Sequence, residues 1–316
     1  MKRLFNLTLS VIIAITLTSP AVAQTKDDGV LRILAIGNSF SDDGTEYLPA
    51  LLENLDVENV EVARLYVGGC TLESHMKFYD NNEAAYKFYR SKAGENKWSE
   101  SEEKVTMQYA LALGEWDIIT MQQASGYSGQ YESYTPHLGR LIDVVKQAQP
   151  NAKLVWHMTW SYSSDSDHKH FHYYDSNQAK MDNAILNCLH TLLDEFDEIE
   201  TIIPSGTVVK SLRGSAINNY PKDLTRDGFH MGHGAGRYAL ACTWYETLVK
   251  PYTGKSMMGN TLRVCGGLVS VSDVVALYCQ QAAKQAAKRP FDVRTVKVSA
   301  GKAAKAKGNT EQTIVK

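Results

Sequence analysis

The chain has 316 residues, 44% of them hydrophobic, enough for one large α/β domain with a sizeable core or two small ones, and disorder as the main state is excluded. With 33 Lys and Arg against 35 Asp and Glu the formal charge is -2, which gives no sign of the basic surface that nucleic-acid binding requires. The charge is unevenly placed: residues 284–316 carry nine Lys/Arg against Asp292 and Glu311, and residues 24–283 stand at -11 once Lys2 and Arg3 are set aside.

Lys2 and Arg3 precede an apolar run from Leu9 to Leu17, and Ala21-Val22-Ala23 supplies a small-x-small cleavage signal before Gln24. Charge, apolar core and cleavage signal in that order predict a secretory signal peptide over residues 1–23 and a mature chain in a periplasm or outside the cell. No later segment offers the roughly 18 uninterrupted apolar residues of a membrane span. The five cysteines (70, 188, 242, 265, 279) are odd in number and widely spaced, so one disulfide at most is expected and no zinc knuckle.

Short β-branched runs alternate with segments of helical period, the pattern of βαβ units and a parallel sheet. In chain order, strands are expected at Leu31 to Ile36, Val60 to Val67, Asp117 to Gln122, Lys153 to Met158 and Thr201 to Ile203, with helices near 45–54, 103–113, 134–148, 177–195 and 234–249. Two stretches, 72–102 and 160–176, read as elaborations that follow strands and lie at the carboxyl edge of the sheet, where open α/β sheets bind ligands. One domain is expected over 24–290. Residues 291–316, poor in large apolar side chains from 296 onward, are expected to be a mobile basic tail.

The first strand runs into Gly37-Asn38-Ser39-Phe40-Ser41, which stands Ser39 at the strand's carboxyl end before a helix; a turn or N-cap role explains a serine there equally well. Asp227-Gly228-Phe229-His230 places an acid and an imidazole three residues apart, able to serve as orienter and base for that serine, or simply to turn and pack. Val67-Gly68-Gly69-Cys70-Thr71 follows the second strand with glycines that permit close backbone approach. Met121-Gln122-Gln123-Ala124-Ser125-Gly126 ends the third with two side-chain amides.

In this order, Gly-Asn-Ser-Phe-Ser, Gly-Gly-x-Thr, a strand-end Gln and Asp-x-x-His resemble the blocks of the SGNH (GDSL-type) hydrolase superfamily, in particular its carbohydrate-esterase branch. The resemblance implies a three-layer α/β/α sandwich around a short central parallel sheet, flavodoxin-like in type. It implies Ser39 as nucleophile, His230 and Asp227 as its partners, and an oxyanion hole from the backbone N–H groups of Ser39 and Gly69 with the Gln122 side chain. Two positions depart from the usual pattern: Asn38 stands where the family has Asp, and Gln where it has Asn. Gln123 stays open as the alternative to Gln122, because a one-residue slip on a strand reverses the face.

Motifs of other classes are absent: no Gly-x-Ser-x-Gly elbow, no complete P-loop around Gly254-Lys255-Ser256, no dinucleotide spacing at 232–236, no His-Glu-x-x-His. No cofactor is expected. His168, His170 and His172 alternate and on an extended segment would face one way, as metal ligands can, but no Cys or carboxylate set backs them, so a polar substrate loop or a solvated loop is the expectation. Trp160 and Tyr162, beyond the fourth strand, are expected to be exposed cleft aromatics of a sugar-binding kind, with Gln123 as a further substrate contact. The expected activity is that of a secreted serine esterase taking acyl groups, acetyl first, from a glycan or small ester substrate, without nucleic-acid partners. The rival readings are a lipid or aryl-ester hydrolase of the same mechanism and a non-catalytic glycan-binding protein.

Overall fold

Strand β1 (Leu31–Gly37) removes Leu31, Ile33, Leu34, Ala35 and Ile36 from solvent on both faces, as a central strand of a covered parallel sheet must. The computed structural model describes residues 28–265 and 269–298, without the side chains of 264, 265 and 269. The expected signal peptide, the Cys265 side chain and the tail from residue 299 lie outside the described residues.

From β1 the chain forms α1 (Ser39–Thr45), α2 (Leu48–Asn54), β2 (Val60–Tyr66), α3 (Leu72–Asp80), β3 (Lys87–Ser91), β4 (Ser99–Glu100) and α4 (Met107–Ala112). There follow β5 (Ile118–Met121), α5 (His137–Ala148), β6 (Lys153–His157), α6 (Gln178–Glu195), β7 (Ile199–Ile203), α7 (Ser205–Arg213) and α8 (Ala235–Trp244). A π-helical turn, Tyr245–Val249, leads to α9 (Lys250–Thr253), a two-residue hairpin β8 (Val264–Cys265) and β9 (Val269–Ser270), and α10 (Asp273–Lys288). The helix expected at 45–54 is two, because Pro49 lacks the N–H a continuing helix needs and instead sits in the first turn of α2.

The main sheet has seven strands in the order β4-β3-β2-β1-β5-β6-β7. Five of them, β2, β1, β5, β6 and β7, run parallel, and β3 and β4 add antiparallel pairs at one edge, so the expected parallel sheet is longer and mixed. The chain steps from β1 to β2 in one direction and from β5 through β6 to β7 in the other. Right-handed crossovers therefore put their helices on opposite faces, giving three α/β/α layers. α1, α2, α7, α8 and α10 pack together on one side, and α3, α4 and α5 pack together on the other. The crevice between the carboxyl ends of β1 and β5 is the point where the winding reverses, the usual place for a site in such sheets.

Two buried ionic clusters tie distant segments to α1. Asp43, wholly buried, accepts from Arg226 Nη1 at 2.9 Å, Arg237 Nε at 2.8 Å and the Met231 backbone N–H at 2.8 Å. Arg64 on β2, 3% exposed, pairs with Asp42 and Glu46 at 3.0 Å each and lies over the rings of Trp98 and Tyr89, at 4.0 and 4.7 Å, which docks the 87–100 edge onto α1. Residues 291–298 run beside α7: Arg294 N–H donates to Ser211 Oγ at 3.2 Å and Val296 is buried.

Asp43→Asn keeps the shape but removes the carboxylate that Arg226 and Arg237 share, leaving Arg237 with Asp42 at 3.4 Å. We expect it to lower unfolding free energy by about 3 kcal/mol, read from the urea midpoint at unchanged m-value. A midpoint shift within error of zero would show that the arginines find other partners.

Candidate active site

Gly37 ends β1 where no side chain fits: a Cβ there would lie 2.4 Å from Ser41 Oγ and 3.1 Å from Gln122 Oε1. The chain then turns on Asn38, the N-cap of α1, whose Oδ1 accepts from Phe40 N–H at 3.0 Å. Ser39, first residue of that helix, is left half-buried at the carboxyl edge of the sheet.

His230 reaches Ser39 from the loop before α8. Its Nε2 lies 2.8 Å from Ser39 Oγ and its Nδ1 2.6 Å from Asp227 Oδ2. With Nδ1–H donating to the carboxylate, Nε2 presents its lone pair to the serine hydroxyl. Asp227 is itself held by the His230 and Phe229 backbone N–H groups, at 2.8 and 3.3 Å to Oδ1. Partial burial pushes the Asp227 carboxyl up, but the hydrogen bonds from the His230 ring and from these N–H groups outweigh it and hold the group below the ordinary carboxylate range.

The His230 loop is fixed from three sides. Thr225 and Met231 form an antiparallel bridge across its base, Asp43 grips Arg226 and the Met231 N–H, and the 160–163 segment supports it from beneath. In that last contact Trp160 Nε1 donates to Phe229 O at 2.8 Å and Ser163 N–H to Gly228 O at 2.8 Å. The Ser39–His230–Asp227 set expected from the sequence is thus assembled. The residue that sequence reasoning missed is Asp43; Arg226, adjacent to Asp227, was the one signal that a counter-charge was needed there.

Gly69 is exposed, with φ +64° and open space where a Cβ would be. That left-handed conformation favours glycine and leaves its backbone accessible beside the loop. The two glutamines are placed otherwise than expected. Gln122 Nε2 donates to Asn38 Oδ1 at 2.8 Å and Gln122 Oε1 faces His157 Nδ1 at 2.9 Å, so its amide rests on Asn38 instead of on Ser39. Gln123 accepts from the Leu72 and Ala124 N–H groups and donates to Ser133 O and Oγ, tying α3 to the 125–133 loop. Both are 1% exposed.

Asn38 explains its own departure from the family pattern. Its Nδ2 donates to Cys70 O at 3.0 Å while Oδ1 accepts twice, and a carboxylate there would set a buried charge against the Cys70 carbonyl. The row continues through His157, whose Nε2 lies 2.9 Å from Ser205 Oγ. A single assignment satisfies all of it: Ser205 donates to His157 Nε2, and His157 Nδ1–H donates to Gln122.

Trp160 and Tyr162, expected as exposed cleft aromatics, are buried at 1% and 0% exposure. Beyond β6 the chain curls beneath the His230 loop: Trp160 stacks on Phe40 at 4.1 Å and Tyr162 bonds Ser125 Oγ at 3.0 Å, so both form the floor under the site. The histidine segment is a 3-10 helix, Lys169–Tyr174, with His168 as its N-cap; the His168 and His170 rings lie 5.2 Å apart, and His172 Nδ1 meets the Lys169 carbonyl. Among the described residues, Cys70, Cys188 and Cys279 are buried free thiols and Cys242 is buried, and burial pushes the Cys70 thiol up to about 12.

A family profile described as "Domain of unknown function (DUF4886)" matches residues 32–263. A crystal structure of a DUF4886 family protein from Bacteroides uniformis is 32% identical, with TM-score 0.76, over 84% of this chain and 98% of that one. A protein of Slackia heliotrinireducens, named provisionally as an SGNH hydrolase, is 21% identical with TM-score 0.44 over 67% and 95%. One of Parabacteroides merdae, named provisionally as a GDSL-like lipase, is 16% identical with TM-score 0.48 over 72% and 98%. No curated protein matches the chain. The order of its motifs resembles that of the SGNH hydrolases.

Burial pushes His157 down to about 3 and His75 down to about 4, from an ordinary value of 6.5. Between those values the unfolded chain holds more protons than the folded one, so acidification destabilises the fold, each group contributing up to about 1.4 kcal/mol per pH unit. Stability should decline as pH falls from about 6.5 to 5, above the range where most carboxylates titrate. His157→Gln should flatten that slope; equal slopes in the two proteins would assign the loss to other groups.

Proposed function

The chain belongs to the DUF4886 family, a domain of unknown function, and on that premise we propose that it is a serine esterase that removes acyl groups, acetyl first among them, from a carbohydrate. The observation that carries this reading is the contiguous relay from Ser39 Oγ to His230 Nε2 and from His230 Nδ1 to Asp227. A non-catalytic binding protein has no use for a serine, a base and an orienting carboxylate in hydrogen-bond contact across 191 residues of sequence.

In this mechanism Ser39 Oγ attacks the ester carbonyl carbon while His230 Nε2 takes the hydroxyl proton. Asp227 holds the ring orientation and stabilises the imidazolium. The oxyanion that forms is received by the backbone N–H groups of Ser39 and Gly69. Collapse breaks the ester C–O bond, His230 returns the proton to the departing sugar oxygen, and an acyl-serine remains. A water deprotonated by His230 then attacks that acyl group and frees the carboxylic acid and Ser39. Gln122 acts through Asn38, holding the cap from which Ser39 projects. The reading includes the exported location expected from residues 1–23.

Wild type should release acetate from acetylated polysaccharides and from a small aryl acetate, and a fluorophosphonate should label Ser39. Ser39→Ala should abolish labelling and cut turnover by about 10³-fold or more, and Asp227→Asn should cost on the order of 10⁴ in kcat. Acetate release that persists in Ser39→Ala, with no label in wild type, would remove the mechanism.

A further inference from the structure

A ladder of rings starts at His230 and leads away from it over the surface. Phe229 lies 4.1 Å from His230 between ring centroids, His168 4.6 Å from Phe229, His170 5.2 Å from His168 and Tyr173 5.3 Å from His170. Tyr127 closes the far end, 4.9 Å from His170 and 5.8 Å from Tyr173. Unlike Trp160 and Tyr162 below them, none of these five rings is buried; four are half-exposed and Tyr173 is 41% exposed.

The ladder is built into the fold. Gly126 makes room for it, since a Cβ there would lie 2.3 Å from His170 Nδ1. The Tyr127 and Tyr173 rings lie side by side, and Tyr174 behind them ties the two loops, donating to Gly126 O and accepting from Gly129 N–H, both at 3.0 Å. Polar groups neighbour the rings: exposed Lys169 and Asp167 on the same segment, and His172, whose ring lies 4.4 Å from Tyr173. Burial, with Lys169 close by, disfavours protonation of His168 and His170, so the imidazoles offer neutral faces.

We propose that the exposed Tyr173 ring, stacked on His170 at 20° and flanked by Tyr127, is a platform for a pyranose ring of the polymer that carries the ester, so that the protein selects acylated polysaccharide over small esters. The proposal rests on the esterase reading for its link to turnover, but binding to the platform does not. The C–H face of a pyranose presents weakly positive hydrogens to the negative face of an aromatic ring, and its hydroxyl rim needs the polar edge found here. A cationic ligand is opposed by Lys169. A fatty acyl chain would lie against imidazole and phenol edges that are open to water.

The test uses the mature chain with acetylated xylan, acetylated mannan and acetylated pectin, against an aryl acetate. Tyr173→Ala should lower the ratio of kcat/KM for the preferred polymer to that for the aryl ester by about tenfold, while Tyr173→Phe, which keeps the ring, should stay within about twofold. Calorimetric titration of the same polymers into Ser39→Ala, with and without Tyr173→Ala, reads the platform even in the absence of turnover, and the Kd should rise by the same factor. Equal losses on both substrates, polymer binding that survives Tyr173→Ala, or no binding to any of the three polymers would overturn the platform. Failure of the fluorophosphonate to label Ser39 would instead remove the esterase reading.

Discussion

Asp43 sits one helical turn beyond Ser39 and holds, with no exposure to solvent, two arginines and a backbone N–H from residues 183 to 194 positions further along the chain. Bringing His230 to Ser39 means closing a loop of 191 residues, and neither a serine hydroxyl nor an imidazole supplies much to offset that entropy. The packed core offsets it, and a buried carboxylate fixes which closure is made, because leaving it unpaired is so unfavourable. Ser39 and Asp43 share a helix, and His230 lies between Arg226 and Arg237. The ion cluster therefore sets the distance between nucleophile and base without taking part in the proton transfer.

The β1–β5 crevice supplies the second half of the arrangement. Helix α1 leaves β1 there, the Gly69 turn leaves β2, and the 122–133 segment, with short 3-10 turns at Ser125–Tyr127 and Tyr131–Ser133, leaves β5. Trp160, Tyr162 and Phe40 fill the space below. On the other side Ser39 and His230 stay half-buried and Asp227 is exposed.

Of the strands that were legible in the sequence, β1, β2, β5 and β6 are buried on both faces, and the edge strand β7, with Glu200 exposed, was legible through the buried Ile202 and Ile203. β3 and β4 were not, because at the sheet edge Lys87, Tyr89 and Arg90 stay partly exposed and the segment reads as polar. Ser39, Asp227 and His230 were legible as motif spacing, and Gly69 as a glycine after a strand. The glutamines and the aromatics of the fourth strand's end were misjudged for one reason: sequence says which side chains reach the carboxyl edge, but not which of them the following loop will cover. Trp160 and Tyr162 are covered by the His230 loop, whereas Tyr127 and Tyr173, which carry no motif, are left outside.

The buried row from Ser205 through His157, Gln122 and Asn38 to the Cys70 carbonyl has a sense of direction. Every hydrogen in it points the same way, toward Cys70, where a bare carbonyl ends the sequence of donors. No member can be turned end for end alone, since an inverted amide would set donor against donor on one side and oxygen against oxygen on the other. The row thus behaves as one word with one spelling: a replacement at any of its letters has to be answered at the next, and lineages carrying this fold should change these positions together or keep them.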